Sequence, residues 1–267
     1  IGLGIPAEPL FRSASANFIN SALEQFGHSL QDFFAEQKDL PEELRKVEII
    51  MTILSNNTPD CRVKVWVECP VEQLDGIDEH LSGAEYAKKF KKAVDIAHID
   101  IDRATTHNKG IYNGIDAVVI ATGNDFRAVE AAGHTYASRN GRYESLSSVT
   151  IENGIFHFEL EVPMALGTVG GLTSLHPLAK KTLELLGNPT APELMMVAAT
   201  MGLANNFSAV RSLTTKGIQA GHMKMHLNNI LNQLNANDEA KKQAREYFKD
   251  KTVSYAAVEQ FLDSLKK

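Results

Sequence analysis

The chain has 267 residues, 43% of them hydrophobic and 22% charged, with a formal net charge of -6. That is the balance of a soluble globular protein with room for one large domain or two modest ones. The acidic sign argues against nucleic acid or an anionic membrane as main partner, and apolar runs as short as Ala117–Ala121 do not span a bilayer. No basic start followed by an apolar middle marks a signal peptide. The two cysteines, Cys61 and Cys69, read as reduced thiols of a cytoplasmic protein.

In chain order, residues 1–12 carry Gly2, Gly4, Pro6 and Pro9 without a period and form an irregular lead-in. From Ser13 the spacing turns helical: Phe18, Ala22, Phe26, Leu30 and Phe33 share one face, with Ser13 or Ser15 as cap. Lys38-Asp39-Leu40-Pro41 ends that helix. The β-branched run Val47–Leu54 predicts a strand, and the cluster from Ser55 to Asp60 a turn. Val63, Val65 and Val67 alternate with Arg62, Lys64 and Trp66, as a half-buried strand requires. Ala84, Ala87, Phe90, Val94 and Ala97 predict an amphipathic helix ending near His98.

The polar, glycine-punctuated stretch Arg103–Gly114 predicts a loop, Ile115–Ala121 is apolar, and Phe126–Ser138 is helical in pattern. Val149–Ile151 and Ile155–Val162 predict strands joined at Asn153-Gly154, a strong hairpin signal. The Gly167–Gly171 loop leads to a helix over Pro177–Leu186, closed by Gly187 and Pro189. Ala191–Leu213 reads as helix with a weak point at Gly202, Thr214–Gly221 as loop, and the tail from His222 as three short helices.

Four stretches place polar groups in glycine-bearing segments. Arg103, Lys109 and two asparagines within Arg103–Gly114 can form an anion-binding loop, or simply a solvated one. Asp125 lies near a helix start, where it can cap the helix or hold Lys109, since a nearby carboxylate favours charged lysine. The Gly167–Gly171 loop admits close approach of a ligand to the backbone but matches neither the dinucleotide nor the P-loop glycine spacing. His222 and His226 stand at i and i+4, yet no Glu follows the first and no third ligand has an obvious spacing. An acid–base histidine is a better reading of that segment than a metal site, and on residue types alone two unremarkable surface histidines are a better reading still.

Taken together and in order, these blocks resemble those of class II (bacterial-type) 3-hydroxy-3-methylglutaryl-CoA (HMG-CoA) reductases. The resemblance rests on Thr106-His107-Asn108-Lys109-Gly110 with Asn113-Gly114-Ile115-Asp116, on Ala121-Thr122-Gly123-Asn124-Asp125, on Leu166-Gly167-Thr168-Val169-Gly170-Gly171 with Leu175-His176-Pro177, and on Gly217-Ile218-Gln219 with Gly221-His222-Met223. It runs from about Ser13 to the C-terminus and corresponds to the C-terminal two-thirds of the family's length.

The resemblance implies an α/β (α+β) fold. Residues 1–57 would form part of a small cofactor-binding domain, 58–214 a large CoA-substrate domain, and 215–267 a helical flap. It implies reduction of HMG-CoA to mevalonate and free CoA by NADPH or NADH, with no metal, in a homodimer whose active site lies at the interface. Lys109 would donate to the substrate carbonyl oxygen, Asp125 would tune Lys109, and His222 would protonate the departing thiolate. Arg103 and Asn113 would orient the HMG carboxylate and the reacting end.

Two departures accompany it. The family's N-terminal block with a catalytic Glu has no counterpart here, so turnover is expected only where the full polypeptide supplies it; the alternative is a non-catalytic fragment or paralogue that binds CoA thioesters or only dimerises. The family's Asp-Ala-Met-Gly-Ala-Asn cofactor motif is met here by Arg12-Ser13-Ala14-Ser15-Ala16-Asn17, in which Ala16 and Asn17 match and Asn17 is the cofactor residue carried over.

Overall fold

The computed structural model describes residues 16–170, 175–215, 218–249 and 251–265, with 16–17 and 218–225 described by backbone alone. The elements are α1 (Ala16–Glu36), α2 (Glu42–Arg45), β1 (Arg62–Pro70), a 3₁₀ turn (Val71–Leu74), α3 (Gly83–Ile99), α4 (Ile101–Ala121), α5 (Phe126–Ala137), β2 (Ser147–Glu152), β3 (Ile155–Pro163), α6 (Pro177–Leu185), α7 (Ala191–Thr214), α8 (Ile218–Gln233), α9 (Asp238–Tyr247) and α10 (Tyr255–Ser264). The proposed Ser13 and Ser15 caps of α1 lie outside the described residues.

The three strands form one antiparallel sheet in the order β1-β3-β2. The hairpin at Asn153-Gly154 is built as predicted, both residues having positive φ (50° and 78°), the backbone that a two-residue type I′ connection needs. One sheet face carries Val63, Phe156, Phe158, Leu160 and Val162 into the core. There Phe90 of α3 meets Phe156 and Phe158 edge-on at 5.5 and 5.3 Å. The other face carries ion pairs, Arg62 with Glu161 at 3.1 Å and Lys64 with Glu159 at 2.8 Å. This is the alternation of an antiparallel sheet with one solvated side.

Asp100 both ends α3 and starts α4, its carboxylate accepting from the Arg103 N–H at 2.7 Å. The helix it starts overturns the predicted loop over Arg103–Gly114, because that whole stretch lies within the 21 residues of α4. Of its two glycines, Gly114 serves packing instead of turning. A Cβ on Gly114 would stand 2.3 Å from the Met201 carbonyl oxygen, and one on Gly202 would stand 2.8 Å from Ile115. These two glycines let α4 and α7 cross at backbone contact, so Gly202, the predicted weak point, is a packing position. Gly133 of α5 likewise leaves room for the Tyr112 hydroxyl, which a Cβ there would overlap.

Two further expectations change. Val47–Leu54 forms no regular element; it runs beside α1, held by Gln31 Nε2 to the Val47 carbonyl (3.1 Å) and by the Leu54 N–H to Asn20 Oδ1 (2.8 Å). It has the composition of a strand but no partner strand among the described residues, and a strand without a ladder gains little from propensity. The predicted loop Thr214–Gly221 is shorter, since α8 begins at Ile218. On α1, Ile19 is buried while Phe18, Phe26 and Phe33 remain about half exposed, so much of the predicted apolar face is uncovered in this chain. The tail helices α8–α10 close on their own core of Leu227, Leu231, Phe248, Val258 and Leu262.

Candidate active site

Helix α4 presents two faces of different character. Asp102, Thr106, Lys109, Asn113 and Ile120 are exposed and follow spacings of three and four, with Asp116 half-buried on the same stripe. Ala104, His107, Asn108, Ile111 and Ile115 are buried on the opposite side. The Thr-His-Asn-Lys-Gly block is therefore divided: His107 and Asn108 anchor the helix, and Lys109 and Asn113, one turn apart, are offered to the outside. Arg103 stands on the flank between the two faces, half-buried.

The anchor is a buried polar chain. Arg103 Nη2 reaches His107 Nδ1 at 3.4 Å, His107 Nε2 lies 2.7 Å from Ser147 Oγ, and Ser147 Oγ donates to Asn206 Oδ1 at 2.9 Å. Asn108 brackets the next turn of chain, donating to the Glu144 carbonyl at 2.8 Å and accepting from the Leu146 N–H at 3.0 Å. Asn205 donates to the Gly110 carbonyl, directly after Lys109. Burial above all, and then Arg103 and His98, pushes the His107 pKa down to about 3, so this imidazole is neutral. Burial also lowers the Arg103 pKa, though a guanidinium stays charged at any ordinary pH. Arg103 forms no ion pair with any described carboxylate.

Asp125 caps α5, its Oδ1 accepting from the N–H groups of Arg127 (3.0 Å) and Ala128 (3.1 Å). Within the chain it does not pair with Lys109. The turn before it is fastened by the Asn124 N–H to the Val119 carbonyl at 2.9 Å, which sets Asp125 at the far end of α4. Ten residues of helix separate Lys109 from Val119, a rise of about 15 Å. Asn124 joins the second and third motif blocks: its amide donates to the Gly167 carbonyl at 3.0 Å while its Oδ1 accepts from the Gly167 N–H at 2.8 Å. The glycine loop is thus pinned at its first residue; residues 171–174 lie outside the described residues.

Asn17 lies in the first turn of α1 and His222 in the first turns of α8, their side chains outside the described residues. His226, exposed, is one turn further along α8. The structure thus brings Lys109 and Asn113 together on one stripe, sets Arg103 beside it, and keeps Asp125 apart. The supports missed in the sequence, His107, Ser147, Asn205 and Asn206, had one local signal. Asn205-Asn206 is a polar pair inside a helix otherwise rich in Ala, Met, Leu and Val, and buried polar groups there require partners.

The family model of the hydroxymethylglutaryl-coenzyme A reductases matches residues 13–227, which include the motif-bearing helix and the three-stranded sheet. The chain belongs to that family. Among its relatives, the 3-hydroxy-3-methylglutaryl-coenzyme A reductase of Archaeoglobus fulgidus is 48% identical over 151 residues, covering 56% of this chain and 34% of the relative. A probable reductase of Borreliella burgdorferi is 35% identical over 191 residues, covering 70% of this chain and 43% of the relative. The class II reductase of Streptococcus pneumoniae, solved bound to NADPH in open conformations, superposes with a TM-score of 0.67 at 36% identity, over 94% of this chain and 58% of that one. The chain spans less than half the length of the two curated relatives.

Proposed function

We propose that this chain forms part of an NAD(P)H-dependent reductase that converts HMG-CoA to mevalonate and free CoA. The observation that carries the reading is the division of α4: an ammonium and an amide are held outward one turn apart, with a half-buried guanidinium beside them that no described carboxylate neutralises. A desolvated, unpaired cation favours an anionic ligand, and HMG-CoA carries a carboxylate.

In this reading Lys109 donates to the carbonyl oxygen and stabilises the negative charge that grows there. Arg103 and Asn113 hold the HMG carboxylate and the reacting end. His222, at the start of the flap, gives a proton to the CoA sulfur as it leaves, a task suited to imidazole near neutral pH. The nicotinamide supplies hydride when bound. Asn17 sits in the opening turn of a 21-residue helix, whose N-terminal N–H groups suit a phosphate.

Residues 1–57 are read as part of the cofactor domain, 58–214 as the substrate domain and 215–267 as the flap. The two cysteines, Cys61 and Cys69, suit a reducing cytoplasm. We read the active unit as a homodimer, because Lys109 and Asp125 stand too far apart in one chain for that carboxylate to hold and tune the ammonium.

In the full polypeptide, Lys109→Ala is expected to lower kcat by about 10²-fold or more with the fold intact. His222→Gln should harm HMG-CoA reduction more than mevaldehyde reduction, which expels no thiolate. Near-normal turnover of the first variant, or equal losses on both substrates by the second, would reject these roles. Absence of HMG-CoA-dependent NAD(P)H oxidation in the wild-type polypeptide would return the chain to a binding or dimerising role.

A further inference from the structure

The Arg103–His107 contact is unusual in its chemistry. A half-buried guanidinium is ordinarily held by a carboxylate, which also cancels its charge. Here its side-chain acceptor is a neutral imidazole nitrogen at 3.4 Å. The rest of the buried chain fixes which nitrogen carries the proton. Asn206 uses its amide nitrogen toward the His107 carbonyl at 3.5 Å, so its Oδ1 is the acceptor for the Ser147 hydroxyl. With the Ser147 proton committed there, His107 Nε2 must donate to Ser147 Oγ. The Nδ1 lone pair is then free for Arg103, which can only donate.

Both ends of the chain agree on the tautomer, and the Arg103 end excludes a charged imidazole, which would have no lone pair for the guanidinium. The other ionisable groups near this ring come from α3 and from the segment before β2. His98 Nε2 lies 3.0 Å from the Ser147 carbonyl, and its Nδ1 lies 3.9 Å from Glu144.

We infer that His107 is a positioning residue: its neutral Nδ1 orients the Arg103 guanidinium without neutralising it, so that the full charge is kept for the carboxylate of the substrate. This rests on the reading of Arg103 given above. A carboxylate at position 107 would fix Arg103 equally well but would compete with the ligand. An apolar residue would leave the guanidinium free to move among rotamers and would take from the Ser147 oxygen the donor it accepts from.

Two substitutions separate the two nitrogens. His107→Gln keeps an N–H donor toward Ser147 and lacks the acceptor for Arg103. His107→Asn keeps an acceptor near the Nδ1 position and lacks the donor toward Ser147. In the full polypeptide, His107→Gln is expected to raise KM for HMG-CoA about 10-fold with kcat changed by less than about 2-fold, the pattern of lost ground-state orientation. His107→Asn should leave KM within about 3-fold while lowering the melting temperature.

Arg103→Ala is measured alongside. If it leaves KM unchanged, the carboxylate role of Arg103 is wrong and the inference goes with it. If it raises KM while His107→Gln does not, or if both His107 variants raise KM equally, the positioning role alone is overturned. Should His107→Gln fail to fold, ¹⁵N NMR of the wild-type ring decides the matter. A neutral Nε2–H tautomer persisting from pH 8 to about pH 5 is expected, and an Nδ1–H tautomer or titration near the free-histidine value overturns the inference.

Discussion

Asp116 stands on the same stripe of α4 as Lys109 and Asn113, and its carboxyl group is pushed up to about 7, first by burial and then by repulsion from Glu130 of α5. Its Oδ1 is buried without a hydrogen-bond partner. A carboxyl whose folded pKa lies above its unfolded value of about 3.9 holds a proton that the unfolded chain releases. Its contribution is therefore fully present below about pH 4 and is lost as pH rises toward 7. His107 works in the opposite sense: with a folded pKa near 3, it favours the folded state above about 6.5 and loses that favour as pH falls. Asp116→Asn removes the first effect and leaves the second. We expect the variant to melt higher than wild type at pH 7.5 and close to wild type at pH 4.5; equal shifts at both would contradict the raised pKa. Lys109, Asn113 and Arg103 were legible as residues because their spacing lies within one segment. Asp116 and His107 were not singled out, since what sets their behaviour is burial by α5, β2 and α7, elements distant in sequence.

At the scale of elements, the largest departure of structure from sequence pattern is α4, a half-buried helix where the residues suggest a loop. Thr105-Thr106-His107-Asn108 and the two glycines Gly110 and Gly114 are poor helix formers, and propensity alone favours a turn there. Tertiary packing outweighs it: Gly114 and Gly202 let α4 and α7 approach, and apolar residues such as Ile111 and Ile115 complete the contact. The hairpin was legible because Asn153-Gly154 carries its own backbone requirement, whereas the strand composition of 47–54 needed a neighbour that the segment cannot supply.

The glycines of α4 give a paired test. A Cβ at Gly110 meets nothing within 4 Å, so Gly110→Ala should stabilise by about 0.5–1 kcal/mol through helix propensity. At Gly114 the added carbon meets backbone at 2.3 Å, and overpacking of about 1–3 kcal/mol exceeds that gain. Gly114→Ala should thus destabilise where Gly110→Ala does not, as urea denaturation midpoints will report. Two changes of the same sign would mean that α4 and α7 do not cross at these glycines.

For the whole molecule, the proposed pairing of Lys109 with Asp125 must bridge the rise of about 15 Å between Lys109 and Val119, because Asn124, next to Asp125, is fastened to the Val119 carbonyl. Asp125 is spent locally on capping α5 through one oxygen, Oδ1, which leaves Oδ2 available to a second chain. In a twofold dimer the same patch appears on both subunits, so Lys109 of one copy can meet Asp125 of the other at each of two equivalent sites. That arrangement has a consequence no single-chain site shares. Lys109→Ala and Asp125→Ala should each be nearly inactive alone. Mixed by co-expression or by unfolding and refolding together, they form heterodimers in which one site carries both changes and the other carries neither. Random pairing of two variants makes about half of all dimers mixed, and each has one intact site of two, so activity should return to about a quarter of wild type. If both residues came from the same chain, every site would keep one lesion and mixing would restore nothing.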